Sequence, residues 1–203
     1  VAGASASRWR SVLSGRASQV APCLLGAEIT VGERRGRIVE VEAYEGLDDP
    51  ASHAYRGPTP RTTIMFGRPG HLYVYLSYGV HWCANVVCHG EGSAGAVLLR
   101  AIEPLAGVES MWLDRPAARS ETDLGSGPGK LCAALAITDQ HNGVDLLHQA
   151  SPVVWTGAAA APDEAELVRG PRIGISRAVD RSWRFGLAGS AHLSRPFPDP
   201  TVT

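Results

Sequence analysis

Lysine is almost missing from this sequence: 18 of its 19 basic residues are arginine, and Lys130 stands alone. Genome composition accounts for such a bias as readily as function does, yet arginine makes bidentate bonds to phosphate that lysine cannot. Long apolar runs are absent as well. No stretch reaches the roughly 18 residues needed to cross a bilayer, so no membrane association is expected. Cysteine is sparse and unpatterned. Cys23, Cys83, Cys88 and Cys132 form no CxxC pair and lack the density of a disulfide scaffold, so they read as reduced core thiols of a cytoplasmic protein. Neither they nor any tight His/Cys/Asp motif suggests a metal, and no cofactor is expected. Charged residues are few, at 19% against 44% hydrophobic, which excludes a disordered or supercharged chain.

What is present suits one core. A length of 203 residues favours a single domain, placed at 17–203, after an acid-free, alanine- and serine-rich leader over 1–16. The net charge of -1 hides a segregation: residues 28–49 hold seven acids, whereas 169–195 hold six arginines and one acid, Asp180. There are no internal repeats.

The stretch Arg37–Tyr44 alternates with a period of two, setting Val39, Val41 and Ala43 on one face and Glu40, Glu42 and Tyr44 on the other. Two carboxylates and a phenol over an apolar back describe either a half-solvated strand or the floor of a site. Upstream, Ala17–Glu28 reads as a short helix interrupted by Pro22, then a strand that makes an antiparallel hairpin with Arg37–Tyr44. Downstream, Asp49 and Pro50 suit an N-cap and first helical position, which puts His53 on a short helix turned back toward Tyr44, or else on an exposed loop.

Residues 56–70 form a basic, proline- and glycine-rich loop in which Arg56, Arg61 or Arg68 contacts a phosphate polymer or is solvated. A second hairpin follows, with Leu72, Val74 and Leu76 toward the core, Tyr73, Tyr75 and Ser77 opposite, and Val80–Cys88 returning. Tyr78 at its tip has little core to enter, so it reads as a wedge between bases or as an ordinary strand-end tyrosine. Residues 95–103 form a buried strand containing Arg100, whose charge needs a carboxylate partner. Pro104 ends that strand, Leu105–Arg115 reads as helix and 116–125 as a polar, mobile linker. Ser126-Gly-Pro-Gly-Lys130 enters a helix over 131–137 and resembles an anion site, although Leu124 and Leu131 rule out a Walker loop. A turn and strand are expected over 168–176, and a closing strand over 183–188.

The order of Val41-Glu-Ala-Tyr44, His53, Thr59-Pro-Arg61, Met65-Phe66, Leu72-Tyr-Val-Tyr75, Tyr78-Gly79, Asn85, Leu98–Pro104, Ser126–Cys132 and Arg172–Ile175 resembles the alkyladenine (3-methyladenine) DNA glycosylases. That resemblance covers roughly residues 17 to 190. It implies an α+β fold, a single mixed domain around a curved antiparallel sheet with flanking helices and a protruding hairpin. It also implies that Glu42 activates water with Arg100 and the Ile175 carbonyl. Tyr44, His53 and Tyr75 would enclose an extruded base, Asn85 would screen out guanine, Tyr78 would fill the gap, and Arg61, Ser126, Gly127 and Lys130 would hold the backbone. Val80 and Ala84 are smaller than the family pattern at that hairpin.

The implied enzyme is a monofunctional glycosylase of base excision repair acting on double-stranded DNA with damaged purines. It would be a monomer of the cytoplasm, at the nucleoid in a prokaryote or in nucleus or organelle in a eukaryote. Strand cleavage usually needs an amine for a Schiff base, and Lys130 is better read as a phosphate contact. A catalytically silent damage-binding protein and an N-glycosidase of nucleoside-like small molecules are the competing readings.

Overall fold

In the computed structural model, which describes residues 2–90, 92–157 and 159–198, the alternating stretches pair into one open, antiparallel sheet of eight strands with a few short helices. The elements run α1 (Ala2–Leu13), α2 (Ala17–Leu24), β1 (Glu28–Val31), β2 (Arg34–Tyr44), β3 (Leu72–Ser77), β4 (His81–Val87), β5 (Ala96–Ala106), α3 (Val108–Asp114), α4 (Glu121–Leu124), α5 (Pro128–Ala134), β6 (Val153–Thr156), β7 (Leu167–Gly170) and β8 (Arg184–Leu187). Strand order is β3-β4-β5-β2-β1-β6, with β8 paired to β2 and β7 to β8.

One face of this sheet makes the main core. Val74 pairs with Ala84, Leu72 with Val86, Val86 with Val97, and Val41 with Leu99. These side chains pack together with Val20, Ala21 and Leu24 of α2 and Leu131, Cys132 and Ala134 of α5. Residues 2–13, expected to be leader, form α1, whose Trp9 and Leu13 are buried and whose Trp9 meets Trp155 edge-on at 5.6 Å. The opposite face carries a smaller cluster of Ala54, Met65, Tyr73, Val87, Ala94 and Ala96, which seats the 54–66 loop on the sheet.

Several local expectations change. A bulge at Val39 re-phases β2, so that Ile38 as well as Val41 and Ala43 joins the core while Glu40 and Glu42 stay opposite. Asp49 caps no helix; it follows a 3-10 turn over Gly46–Asp48, and residues 50–56 are a chain of turns. Gly46 permits that course, because at its positive φ a Cβ would lie 2.1 Å from the Ala94 carbonyl oxygen. Pro104 lies within β5 rather than ending it, opposite Gly36 and next to a register shift, an irregular place in the ladder that suits a residue without an N–H. The helix expected over 105–115 accordingly shortens to α3. The expected linker 116–125 contains α4, pinned by fully buried Leu124 and by Arg115, which donates to the Leu124 and Asp123 carbonyls. Leu76 is 40% exposed rather than core, and Cys23 is half-buried while the other three thiols are buried.

Candidate active site

The site grows from one register row across the second face of the sheet. Tyr73 pairs with Asn85, Asn85 with Leu98, Leu98 with Glu42, and Glu42 with Arg184. Directly paired residues project to the same side. Five strands thus deliver a phenol, an amide, a carboxylate and a guanidinium to one surface.

Burial decides what the carboxylate face of β2 is. Glu40 and Glu42 are both 0% exposed, so this is no half-solvated strand. Glu42 Oε2 accepts the Tyr44 hydroxyl at 2.9 Å, while Oε1 accepts the Ile173 N–H at 2.8 Å and pairs with Arg100 Nη1 at 3.2 Å. Glu40 Oε1 accepts Arg100 Nε at 3.1 Å, Arg184 Nε at 2.7 Å and Ser194 Oγ at 2.8 Å. Its Oε2 accepts the Ser194 N–H at 2.5 Å. Two buried anions are thereby matched by two buried cations, which is what makes their removal from water tolerable. Burial first, and then the neighbouring Glu42 charge, raise the Tyr44 hydroxyl far above the ordinary phenol range, so it stays a hydrogen-bond donor.

A cavity of about 450 Å3 is bordered by Tyr44, His53, Arg61, Tyr75, Tyr78, Asn85, Arg100 and Ile175; Glu42 does not itself line it, but its partners Tyr44, Arg100 and Ile173 do. Met65, Tyr73, Cys83, Leu98, Pro128 and Gly174 are also among its lining residues. The His53 ring meets Tyr75 edge-on at 4.6 Å, and Arg61 lies 4.9 Å over Tyr75. Arg61 Nε donates to the Tyr73 oxygen at 3.3 Å, and the Tyr73 hydroxyl shares a hydrogen bond with His53 Nδ1 at 3.2 Å. Burial and, after it, the Arg61 charge push His53 below the ordinary imidazole range, which favours the neutral ring. Asn85 Nδ2 donates to the Tyr73 carbonyl at 3.1 Å, and this orients the amide.

At the rim, the hairpin turn holds Tyr78 (φ 50°) and Gly79 (φ 72°), the positive pair that a tight β-hairpin turn requires. Tyr78 is 92% exposed and Val80 67%. The Gly-Pro-Gly-Lys turn packs against the base of this hairpin: a Cβ on Gly129 would come within 2.9 Å of His81 Cβ. Ser126, Gly127 and Lys130 do not line the cavity, although Pro128 does. Lys130 instead contacts the Asp123 carboxylate and lies 3.4 Å from Ser126 Oγ, and this pairing holds Asp123 below the usual carboxylate range.

Sequence reasoning passed over several participants. Tyr73 shares the alternation that singled out Tyr75, so its signal was in plain view. The pair Asp49–Arg172 had none, because it joins residues far apart in the chain. Both side chains are 0% exposed, Arg172 Nη2 donates to Asp49 Oδ1 at 2.9 Å, and Nη1 donates to the Ala43 carbonyl at 2.9 Å. Arg172 also lies 4.7 Å over the Tyr44 ring. One guanidinium therefore ties the His53 turns, the end of β2 and the Ile173–Ile175 segment together. Among the described residues no group of three or more His, Cys, Asp or Glu side chains is arranged to hold a metal ion. Likewise, no helix there is long and apolar enough to cross a membrane.

Comparison with known proteins agrees with this arrangement. Residues 11–191 match the methylpurine-DNA glycosylase (MPG) family. A protein of Agrobacterium fabrum is 56% identical over 185 residues, covering 90% of each chain. One from Rhodopseudomonas palustris (strain CGA009) is 53% identical over 184 residues, 89% of this chain and 84% of its own. A third, from Burkholderia lata, is 45% identical over 203 residues, 96% and 97% of the two chains. All three are provisionally named 3-methyladenine DNA glycosylases. With that match spanning most of its length and the site's motifs in order, this chain belongs to the methylpurine-DNA glycosylase family.

Proposed function

We propose that this protein is a monofunctional DNA glycosylase that extrudes alkylated or otherwise damaged purines from duplex DNA and hydrolyses the N-glycosidic bond with water activated by Glu42. The observation that carries the reading is a fully buried carboxylate held by Arg100 and Tyr44, which themselves line an aromatic cavity whose rim bears an exposed tyrosine.

Each part has a physical task. Chemistry on a stacked base requires its removal from the stack, at roughly a few kcal/mol and least for a damaged pair. Tyr78 fills the vacated space, with Arg61 and the Ser126–Lys130 turn at the backbone. An alkylated purine carries positive charge and is held against Tyr44 and Tyr75 by cation–π attraction of roughly 0.5–2 kcal/mol. Neutral His53 closes the wall without repelling that charge. Asn85 stands against the edge where guanine carries its amino group. As the bond from C1′ to the base nitrogen breaks, its electron pair leaves with the base. Water, steadied by Glu42, Arg100 and the Ile175 carbonyl, adds to C1′ and gives its proton to Glu42. Lys130 stands outside the cavity lining and against Asp123, which supports base release without a Schiff base. The protein acts as a monomer on cytoplasmic, nucleoid DNA.

Incubation with alkylated duplex DNA tests the reading. Free base should appear while the abasic strand stays intact, and duplex affinity should fall steeply with salt. A nicked product that depends on Lys130 would overturn the monofunctional assignment. Hydrolysis of free nucleosides without salt-dependent duplex binding would move the substrate to small molecules, and damage binding without turnover would leave a binding module.

A further inference from the structure

Arg100 faces two carboxylates, and its hold on Glu42 depends on what else satisfies Glu40. Arg184 Nε, Ser194 Oγ and the Ser194 N–H all donate to Glu40. Ser194 Oγ also lies 3.3 Å from Arg100 Nη2 and 3.4 Å from Arg100 Nε, so it touches the arginine directly. Arg184 is itself anchored by the C-terminal segment: its guanidinium lies 3.8 Å over the Phe197 ring and donates to the Arg195 and Pro196 carbonyls. The family match stops at residue 191, so this segment lies past it.

We infer that Glu40, Arg184 and Ser194 form a positioning unit for the base-releasing reaction, in which the C-terminal segment sets how Arg100 is shared between Glu40 and Glu42. This rests on the glycosylase reading and adds residues to its site. The argument is one of charge and direction. Glu40 is fully buried and would draw Arg100 to itself if it lacked another cation. Arg184 balances Glu40, and Ser194 holds the Arg100 guanidinium from the far side. Together they leave Arg100 Nη1 for Glu42.

Three variants separate positioning from mere packing: Arg184→Met, Glu40→Gln/Arg184→Met and Ser194→Ala, assayed by single-turnover base release at saturating protein, with duplex affinity and melting temperature measured alongside. Arg184→Met should slow release by at least about tenfold without changing affinity, because unbalanced Glu40 pulls Arg100 from Glu42. The double variant restores the balance and should be faster than Arg184→Met, whereas a packing role makes it slower. Ser194→Ala removes one partly exposed hydroxyl, spares the fold and should slow release by about three- to tenfold. Wild-type rates in Ser194→Ala and Arg184→Met, or a double variant slower than the single one, would overturn the inference while the glycosylase reading stood. Absence of base release by the wild type would overturn both.

Discussion

Asp49→Asn should destabilise the protein more than any exposed ion-pair variant, although Asp49 lies outside the reacting groups. Its carboxylate accepts Arg172 with both oxygens, the Glu45 N–H at 3.3 Å and the Ala51 N–H at 3.1 Å, with both charged partners fully buried. The asparagine is nearly isosteric but presents an amide N–H to the guanidinium and leaves a buried charge uncompensated. Breaking such a pair costs about 3–5 kcal/mol. A domain typically has about 5–15 kcal/mol in total, so the variant loses a large share of its margin. At about 2–4 °C per kcal/mol for this chain length, melting should fall by about 6–20 °C. Arg10→Ala is the control. It breaks the Arg10–Asp145 pair at 3.0 Å, whose side chains are 47% and 24% exposed, and should cost less than about 1 kcal/mol. Urea and thermal unfolding followed by circular dichroism measure both. If Asp49→Asn shifts stability no more than Arg10→Ala does, the buried clamp is not what secures the His53 turns.

Other outcomes follow from the same geometry. Tyr78→Ala should leave stability within about 0.5 kcal/mol, since the side chain is exposed, yet slow base release from fully paired duplex by at least about tenfold. Release from a single-stranded or mismatched lesion should suffer less, and equal losses on both would refute the wedge. For His53, an imidazole titration followed by NMR should give a midpoint below 6.5, and Arg61→Met should raise it. Because folding lowers this pKa, the neutral ring's contribution to stability is complete above 6.5 and is lost as pH falls through the folded-state value. A midpoint above 6.5 would contradict the lowered pKa that burial and Arg61 give His53.

Much of the fold was legible because periodicity carries it. Leu72, Val74, Tyr73 and Tyr75 alternate cleanly, and a strand with Arg100 in its middle announces a buried partner. The departures have physical causes. Asp49 looked like a helix cap because local chemistry favours one, but Arg172, over a hundred positions away, claimed the carboxylate. Pro104 looked like a strand end, and the register shift opposite Gly36 absorbed it. Strand β6 has only four residues and is recognisable only once β1 is there to pair with it. In the site, residue types near β2 and the second hairpin were readable. The roles of Arg184 and Ser194 were not, because they come from contacts that close the chain's far end onto Glu40.

The most direct test of the central claim is single-turnover release of free base from alkylated duplex DNA, in chelator, by the wild type and by Glu42→Gln. The account predicts release by the wild type and a fall of several orders of magnitude in the variant, with damaged-duplex binding and the DNA strand both intact. Release by Glu42→Gln at a rate close to the wild type would contradict it.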